Sequence, residues 1–188
     1  MNYPSTIIVG QQELEINTDF ETALACIACI NDDELSDIER AYGVLALLYK
    51  SEPEDEAEAL RLAVKYLQQG REPEDTQSRA GAADMDYEYD MHYIRSSFRS
   101  DYGIDLMTTP DMHWWQFGEL LQGLTDQCIL NRVRDLRNYD LSSVKDPQTR
   151  AKIIMAQRDV ALPGRSDPED QEVLDEFYAQ LRPQKPEE

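Results

Sequence analysis

The chain has few basic residues for its size, since 18 lysines and arginines stand against 38 aspartates and glutamates, a formal net charge of -20. Such a body repels phosphate backbones and anionic lipid headgroups at long range, and no dominant basic face offsets the repulsion. The sequence also lacks an apolar run of about eighteen residues, the minimum for a membrane span, and a positively charged signal-like start. We therefore expect a cytosolic protein that binds neither nucleic acid nor membranes.

Residues suited to enzyme chemistry are scarce, with two histidines and three cysteines in the chain. Cys26 and Cys29 have the spacing of a zinc or redox pair. No second pair completes four zinc ligands, however, and the two thiols fall near the end of a helical pattern rather than at a helix N-terminus. No phosphate-cradling glycine loop or dinucleotide fingerprint occurs. We predict no catalytic residue, no metal and no cofactor, and we interpret the cysteines as free thiols that fill apolar space.

Two acidic residues and one histidine leave structural alternatives open. Asp84, Asp86 and Glu88 alternate like the start of a calcium-binding loop, but Tyr89 stands where that loop requires glycine. Asp86 and Asp90 lie one helical turn apart and repel each other, so they either cap a first turn or have a basic partner. His113 could cap a helix, contact an aromatic ring or act as a base, and no nucleophile constellation near it in sequence favours the last role.

Apolar residues recur at helical spacing along most of the chain, which predicts an all-α fold with about seven to eight helices. A β-branched run from Thr6 to Val9, a turn at Gly10 and Gln11, and alternation of polar and apolar residues from Glu13 to Ile16 predict a small N-terminal β-hairpin packed on the helices. Small polar residues before the apolar runs mark the helix starts. The predicted N-caps are Thr18, Ser36, Thr109, Asp126 and Asp146.

Composition divides the chain into four regions. Residues 1–70 hold the hairpin and three helices, and residues 71–83 read as a flexible linker without periodicity. Residues 84–163 form an aromatic-rich helical region, and residues 164–188 a C-terminal amphipathic helix with a disordered tail. We expect these regions to build one globular domain.

The stretch from Met85 to Leu124 holds both tryptophans, both histidines, two of the four phenylalanines and four of the ten tyrosines. One apolar stripe ends at Gly103, which suits a left-handed C-cap. Its members are Tyr87, Met91, Ile94, Phe98 and Tyr102. In the next helix Trp114 shares a face with Phe117 and Leu121, while Trp115 lies roughly 100° around the axis. Either both indoles are core, packed on different neighbours, or one lines a groove for a partner.

The sequence resembles the bacteriophage Gp-fifteen family of tailed phages that infect mainly Gram-positive bacteria. The resemblance rests on YGIDL at Tyr102 to Leu106, on the His113-Trp114-Trp115 motif that follows it, and on the turn from Leu121 to Leu124. The match runs from about Glu13 to Pro163. It implies a small protein encoded between the tail-tube and tape-measure proteins of the phage, and a role as tail-assembly chaperone.

As the resemblance implies, we expect a non-enzymatic protein of the host cell cytoplasm that binds and solubilises the tape-measure protein and is absent from the mature virion. The tail-tube protein and a second copy of this chain are further candidate partners. A structural minor tail component and a phage regulatory protein are the alternative functions. We predict that partner-binding residues come from the aromatic stretch, where the same side chains could equally be core. The predicted partner-binding residues are Tyr93, Phe98, Trp114, Trp115, Phe117 and Leu121.

One basic region stands out in the acidic chain, because Cys128 to Arg165 carries 8 basic against 4 acidic residues. Residues 1–97, by contrast, carry 21 acidic against 7 basic residues. The basic region could dock the acidic front half, within one molecule or between copies, or it could be a solvated helix face.

Overall fold

The computed structural model describes residues 3–70 and 84–163, and over these residues the protein is mainly α-helical. Within these two ranges, a two-stranded antiparallel hairpin precedes seven α-helices, which confirms the predicted fold class. The strands are β1 (Thr6–Val9) and β2 (Gln12–Glu15). The helices are α1 (Phe20–Asn31), α2 (Asp37–Leu48), α3 (Glu56–Leu67), α4 (Met91–Tyr102), α5 (Trp114–Gln122), α6 (Ile129–Arg137) and α7 (Pro147–Asp159). The predicted linker at 71–83 and the predicted C-terminal helix and tail at 164–188 lie outside the described residues.

The hairpin closes at Gly10, whose φ of 60° lies in the left-handed region that favours glycine. Ile7 pairs with Leu14 and Val9 with Gln12, so Val9 and Leu14 lie on the same face of the hairpin, where both are buried. Beyond β2, Ile16 forms an isolated antiparallel bridge with Tyr49 after α2. The hairpin is thereby fixed to the helical layer, which an isolated two-stranded sheet needs for stability.

Three of the predicted helix starts are confirmed or shifted only slightly. Ser36 and Glu39 form the predicted capping box at α2, and Asp146 caps α7 with Pro147 in its first turn. At α1, however, the cap is Asp19, which accepts the Thr22 amide at 2.7 Å, so the predicted Thr18 capping box is wrong by one residue.

The helix starts at Thr109 and Asp126 are wrong for a common reason. α5 begins later than predicted, at Trp114, with His113 as its N-cap, and Pro110 precedes the helix. α6 begins after Cys128, whose sulfur accepts the Asn131 amide at 3.4 Å, rather than after Asp126. The N-cap residues are thus His113 and Cys128, whose side chains pack against neighbouring elements. These tertiary contacts determine where the two helices begin and override the local preference for a small polar N-cap.

A single buried cluster joins the front and the aromatic-rich parts of the chain. α1 packs against α2 and α5, α2 against α3, and α4 against α5 and α6, while α7 packs on α6. The cluster runs in sequence from Val9 to Leu130. A second, small buried cluster centres on Ala151 and Ile154 of α7. The aromatic-rich helices are therefore built onto the same core as the first three helices.

The starts of α1 and α5 are held together by backbone hydrogen bonds. The Phe20 amide donates to the Met112 carbonyl at 2.9 Å, and the Trp114 amide donates to the Thr18 carbonyl at 2.7 Å. These bonds satisfy two amides that a helix N-terminus leaves without an intrahelical partner. They also fix the position of α5 relative to α1.

Candidate functional site

The structure places three of the six predicted partner-binding residues in the core. Trp114 is 2% exposed, and Phe98 and Phe117 are fully buried. The Phe117 ring stacks with Trp114 at a centroid distance of 5.6 Å and with Phe98 at 5.3 Å. Phe20 of α1 also stacks with Phe117, at 5.0 Å. In this conformation these rings hold α1, α4 and α5 together and offer no accessible surface to a partner.

The two neighbouring indoles share one anchoring element, the end of α3. Trp114 Nε1 donates to the Leu67 carbonyl at 2.9 Å, and Trp115 Nε1 donates to the Tyr66 carbonyl at 3.1 Å. These carbonyls belong to the last helical turn, which lacks intrahelical donors. Trp115 stacks on Tyr66 and is only half-buried, so part of its ring remains accessible.

The remaining predicted residues, Leu121 and Tyr93, are also half-buried and pack against the core. Leu121 borders a cleft of about 250 Å³, together with Trp114 and the glutamines that end α3. Tyr93 lies on α4, with its ring 3.8 Å from that of His92. The structure thus does not gather the six residues into one surface, and partner binding by Trp115, Leu121 and Tyr93 stays a prediction.

A larger groove lies between α1 and the chain that leads into α4, and we call it the α1–α4 groove. Its volume is about 860 Å³. Its apolar side chains are Leu24, Ala25, Ile27, Ala28, Leu35, Tyr87 and Met91. Tyr87 connects this groove with the core, because its ring meets Trp114 edge-on at 5.9 Å. Ala25 and Ala28 are exposed and have small side chains, so the middle of the groove is accessible to a large ligand.

The rim of the α1–α4 groove is negatively charged. Asp32, Asp86 and Glu88 are the charged residues among those that line it, and no lysine or arginine is among them. Asp86 also accepts the Tyr89 amide at 2.7 Å, which keeps the turn before α4 in place. The last turn of α1 contains no basic residue, so its carbonyl ends add partial negative charge at the same place.

The sequence left open whether Asp90 has a basic partner, and in the structure this buried acid pairs with Arg137. Both of its oxygens accept from Arg137, at 2.7 Å each, in a forked arrangement. Arg137 also donates to the Val160 carbonyl at 2.6 Å, so it ties α4, α6 and the end of α7 together. Arg134 pairs with Asp84 at 2.9 Å. Two arginines of the basic region therefore dock the acidic residues before α4 within one molecule.

His113 and the cysteines occupy structural positions. His113 Nδ1 accepts the Trp115 amide at 3.0 Å, and Nε2 lies 3.0 Å from the Pro4 carbonyl, to which it donates. Tyr3 stacks on the same ring at 4.7 Å, so His113 both caps α5 and contacts an aromatic ring. Burial, with Cys29 nearby, raises the pKa of the Cys26 thiol to about 12, which keeps it protonated and unreactive.

The α1–α4 groove could not be found from the sequence, although its residues gave a partial signal. Tyr87 and Met91 were predicted as part of one helical stripe, and spacing does not say which members of a stripe stay accessible, since a core face and a partner face require the same spacing. That these two residues lie opposite α1 depends on how α1 and α4 pack, which periodicity does not encode.

Fold and groove together define a mainly α-helical protein with an apolar, acid-rimmed groove on its surface. Within the described ranges, no helix has the length and apolar character to cross a bilayer, and no group of three or more potential ligands could hold a metal ion. The family model described as Bacteriophage Gp15 protein matches residues 3–162, and the chain belongs to this phage protein family. Searches of curated proteins and of solved structures gave no match.

Proposed function

We propose that this phage protein is a tail-assembly chaperone that binds the tape-measure protein in the host cytoplasm and keeps it soluble until the tail is built. The protein binds, on this view, without catalysing a reaction. The role that the resemblance to this phage family implies supplies the identity of the client. The α1–α4 groove supplies a surface to which an apolar stretch of the client can bind.

The observation that carries the proposal is an apolar groove of about 860 Å³ on a chain with a net charge of -20. A helix that buries its apolar face in such a groove removes that face from water. The like charge on the outer surface then keeps complexes apart and suppresses aggregation of the client. Polymerising tail-tube protein would displace the chaperone at the end of assembly.

Affinity capture during infection tests this function. The tagged full-length protein is captured from cells infected with the phage, before lysis, and purified virions are analysed in parallel by mass spectrometry. We expect the tape-measure protein in the captured material and no copies of this protein in virions. Stoichiometric amounts in virions would instead identify a minor tail component. Deletion that leaves tail length and assembly unchanged would indicate a regulatory role.

A further inference from the structure

We propose that the occupant of the α1–α4 groove is an amphipathic helix whose apolar stripe is flanked by lysine or arginine side chains. The identification of this helix with a segment of the tape-measure protein rests on the proposed function. The chemistry of the helix follows from the groove itself.

The apolar part of the groove fits the ridge of a helix. Leu24, Ile27 and Met91 are half-buried and pack against the core, so they form a firm floor. Ala25 and Ala28 on α1 are small and exposed, which lets another backbone approach closely. A volume of about 860 Å³ falls within the range of roughly 300–1,000 Å³ typical of ligand sites, enough for several apolar side chains.

An extended peptide is a poorer fit than a helix. Residues of α1, of the following loop and of the chain entering α4 line the groove, and neither described strand contributes a residue. An extended peptide binds well where a strand edge can pair with its backbone, and this groove has none among its described walls. A helix satisfies its own backbone and requires side-chain contacts alone.

The charge of the rim selects a basic helix. Besides the three lining carboxylates, the loop after α1 carries Asp33 and Glu34, both exposed. Arg40 lies at this end, but its guanidinium is 4.0 Å from Asp33 and 3.6 Å from Asp37 and is shared between them. Among the described residues, acidic side chains therefore outnumber basic ones around an apolar floor, and opposite charge on the partner is favoured.

The same charge disfavours two other occupants. A second copy of the chain brings a further net charge of -20 to the contact. The chain's own predicted C-terminal helix, residues 166–182, carries six acidic residues and one basic residue. Like charges at close range raise the free energy of such a complex.

Two synthetic peptides of about 18 residues, enough for roughly five helical turns, test the chemistry. Both carry leucines at helical spacing, one with lysines and the other with glutamates at the flanking positions. Binding to the full-length protein is measured by fluorescence anisotropy at low salt. We expect the lysine peptide to bind and the glutamate peptide not to bind, with affinity for the lysine peptide falling as salt rises. Equal binding of the two peptides would overturn the proposal.

A matched pair of substitutions places the binding in the groove. Ala28→Arg puts a cation into the groove at an exposed helical position, and Ala46→Arg makes the same change on the exposed face of α2. We expect Ala28→Arg to weaken lysine-peptide binding by about tenfold or more and Ala46→Arg to leave it unchanged. Equal affinity of the two variants would show that the peptide binds elsewhere and would overturn the assignment.

A second matched set tests the charged rim. Asp33→Asn, Glu34→Gln and Glu88→Gln together leave in place the carboxylates of Asp32 and Asp86, which accept backbone amides. The control set removes the same number of exposed carboxylates outside the groove, as Asp126→Asn, Asp135→Asn and Asp159→Asn. We expect roughly fivefold weaker binding with the rim set and little change with the control set. Equal weakening would show that overall charge alone attracts the peptide, against the proposal.

Capture experiments separate this inference from the proposed function. If wild-type protein captures the tape-measure protein and Ala28→Arg captures it equally, the proposed function stands and the groove assignment fails. If the peptides bind as expected but no tape-measure protein is captured, the groove assignment stands and the proposed function fails.

Discussion

At the scale of single residues, Arg137 shows how one side chain can fix three parts of the chain. Its guanidinium is almost inaccessible, with 1% of the side chain exposed, and Asp90 opposite it is fully buried. The hydrogen bonds to Asp90 raise the pKa of Arg137 further, so the charge persists at any ordinary pH. Arg137 also donates to the Asp84 carbonyl at 3.0 Å. Its buried guanidinium therefore donates hydrogen bonds both to the Asp90 carboxylate and to backbone carbonyls.

Asp90→Asn is expected to destabilise the protein by about 3–5 kcal/mol, because it leaves a buried guanidinium without its counter-charge. Urea unfolding followed by circular dichroism measures the change. Glu58→Gln is the control, since it breaks the exposed pair with Arg61, at 2.7 Å, and should change stability little. Replacing both buried partners, with Asp90→Leu and Arg137→Met, should recover part of the loss. A small effect of Asp90→Asn alone would contradict the role assigned to the pair.

At the scale of helices, the joints between elements depend on side chains that bond to backbone groups. The end of α4 is one such joint. Gly103 ends this helix in the left-handed region, with φ of 68°, as its position in the sequence predicted. Asp101 then reaches the loop before α6, where it accepts from the Thr125 amide at 2.8 Å and from the Thr125 hydroxyl at 2.9 Å.

The joint at Asp101 is expected to weaken in acid. The Thr125 amide and then the Ser100 hydroxyl hold the pKa of Asp101 below its ordinary value of 3.8. A carboxylate whose pKa is lowered by folding stabilises the fold above its unfolded pKa, and the gain disappears as pH falls through the lower, folded pKa.

Asp101→Ala should therefore lower the melting temperature at pH 7, and the difference from wild type should shrink as pH falls below about 4. Melting curves by circular dichroism between pH 7 and pH 2.5 measure this. Asp111→Ala, at an exposed position in the segment before α5, serves as control and should have little effect at either pH. A difference that stays constant down to pH 2.5 would show that the ionised form of Asp101 contributes nothing.

At the scale of the whole molecule, one core couples regions that the sequence separates at 71–83. The indoles of α5 donate to carbonyls at the end of α3, and Phe20 of α1 stacks on Phe117 of α5. Neither part buries its apolar faces without the other. Heating should accordingly unfold both parts in one cooperative transition.

Tryptophan fluorescence and far-UV circular dichroism of the full chain are expected to give the same melting midpoint, because both indoles report the contact of α5 with α3. Trp115→Phe leaves Trp114 as the single reporter and should give coincident curves at a lower temperature, since a hydrogen bond and part of a ring contact are lost. A fluorescence change several degrees before the loss of helix would show that the two parts separate first.

Much of the fold followed from local patterns. The hairpin, the capping box at Ser36, the N-cap at Asp146 and the end of α4 at Gly103 depend on a few neighbouring residues, and the structure confirms each of them. The starts of α5 and α6 did not follow, because His113 and Cys128 cap these helices while they are held by residues distant in sequence. His113, for example, bonds to Pro4 and stacks on Tyr3.

The candidate site was predictable to a smaller degree. Helical spacing correctly placed Trp114 and Phe117 on one face of α5, and it correctly separated Trp115 from that face. It could not distinguish a core face from a partner face, since both require apolar side chains at the same spacing. The α1–α4 groove combines Ala28 with Met91, and their proximity depends on the packing of two helices far apart in the chain.

By itself, the sequence determined the helical character of the protein, its negative charge and its resemblance to a phage family, because periodicity, composition and motif are properties of the chain alone. The tertiary structure decided which rings are core and which surface stays open. Burial depends on what packs opposite a side chain, and that is settled when α1, α3, α4 and α5 come together. The tertiary structure also decided the pairing of Arg137 with Asp90, since only the folded chain brings those two charges within 2.7 Å.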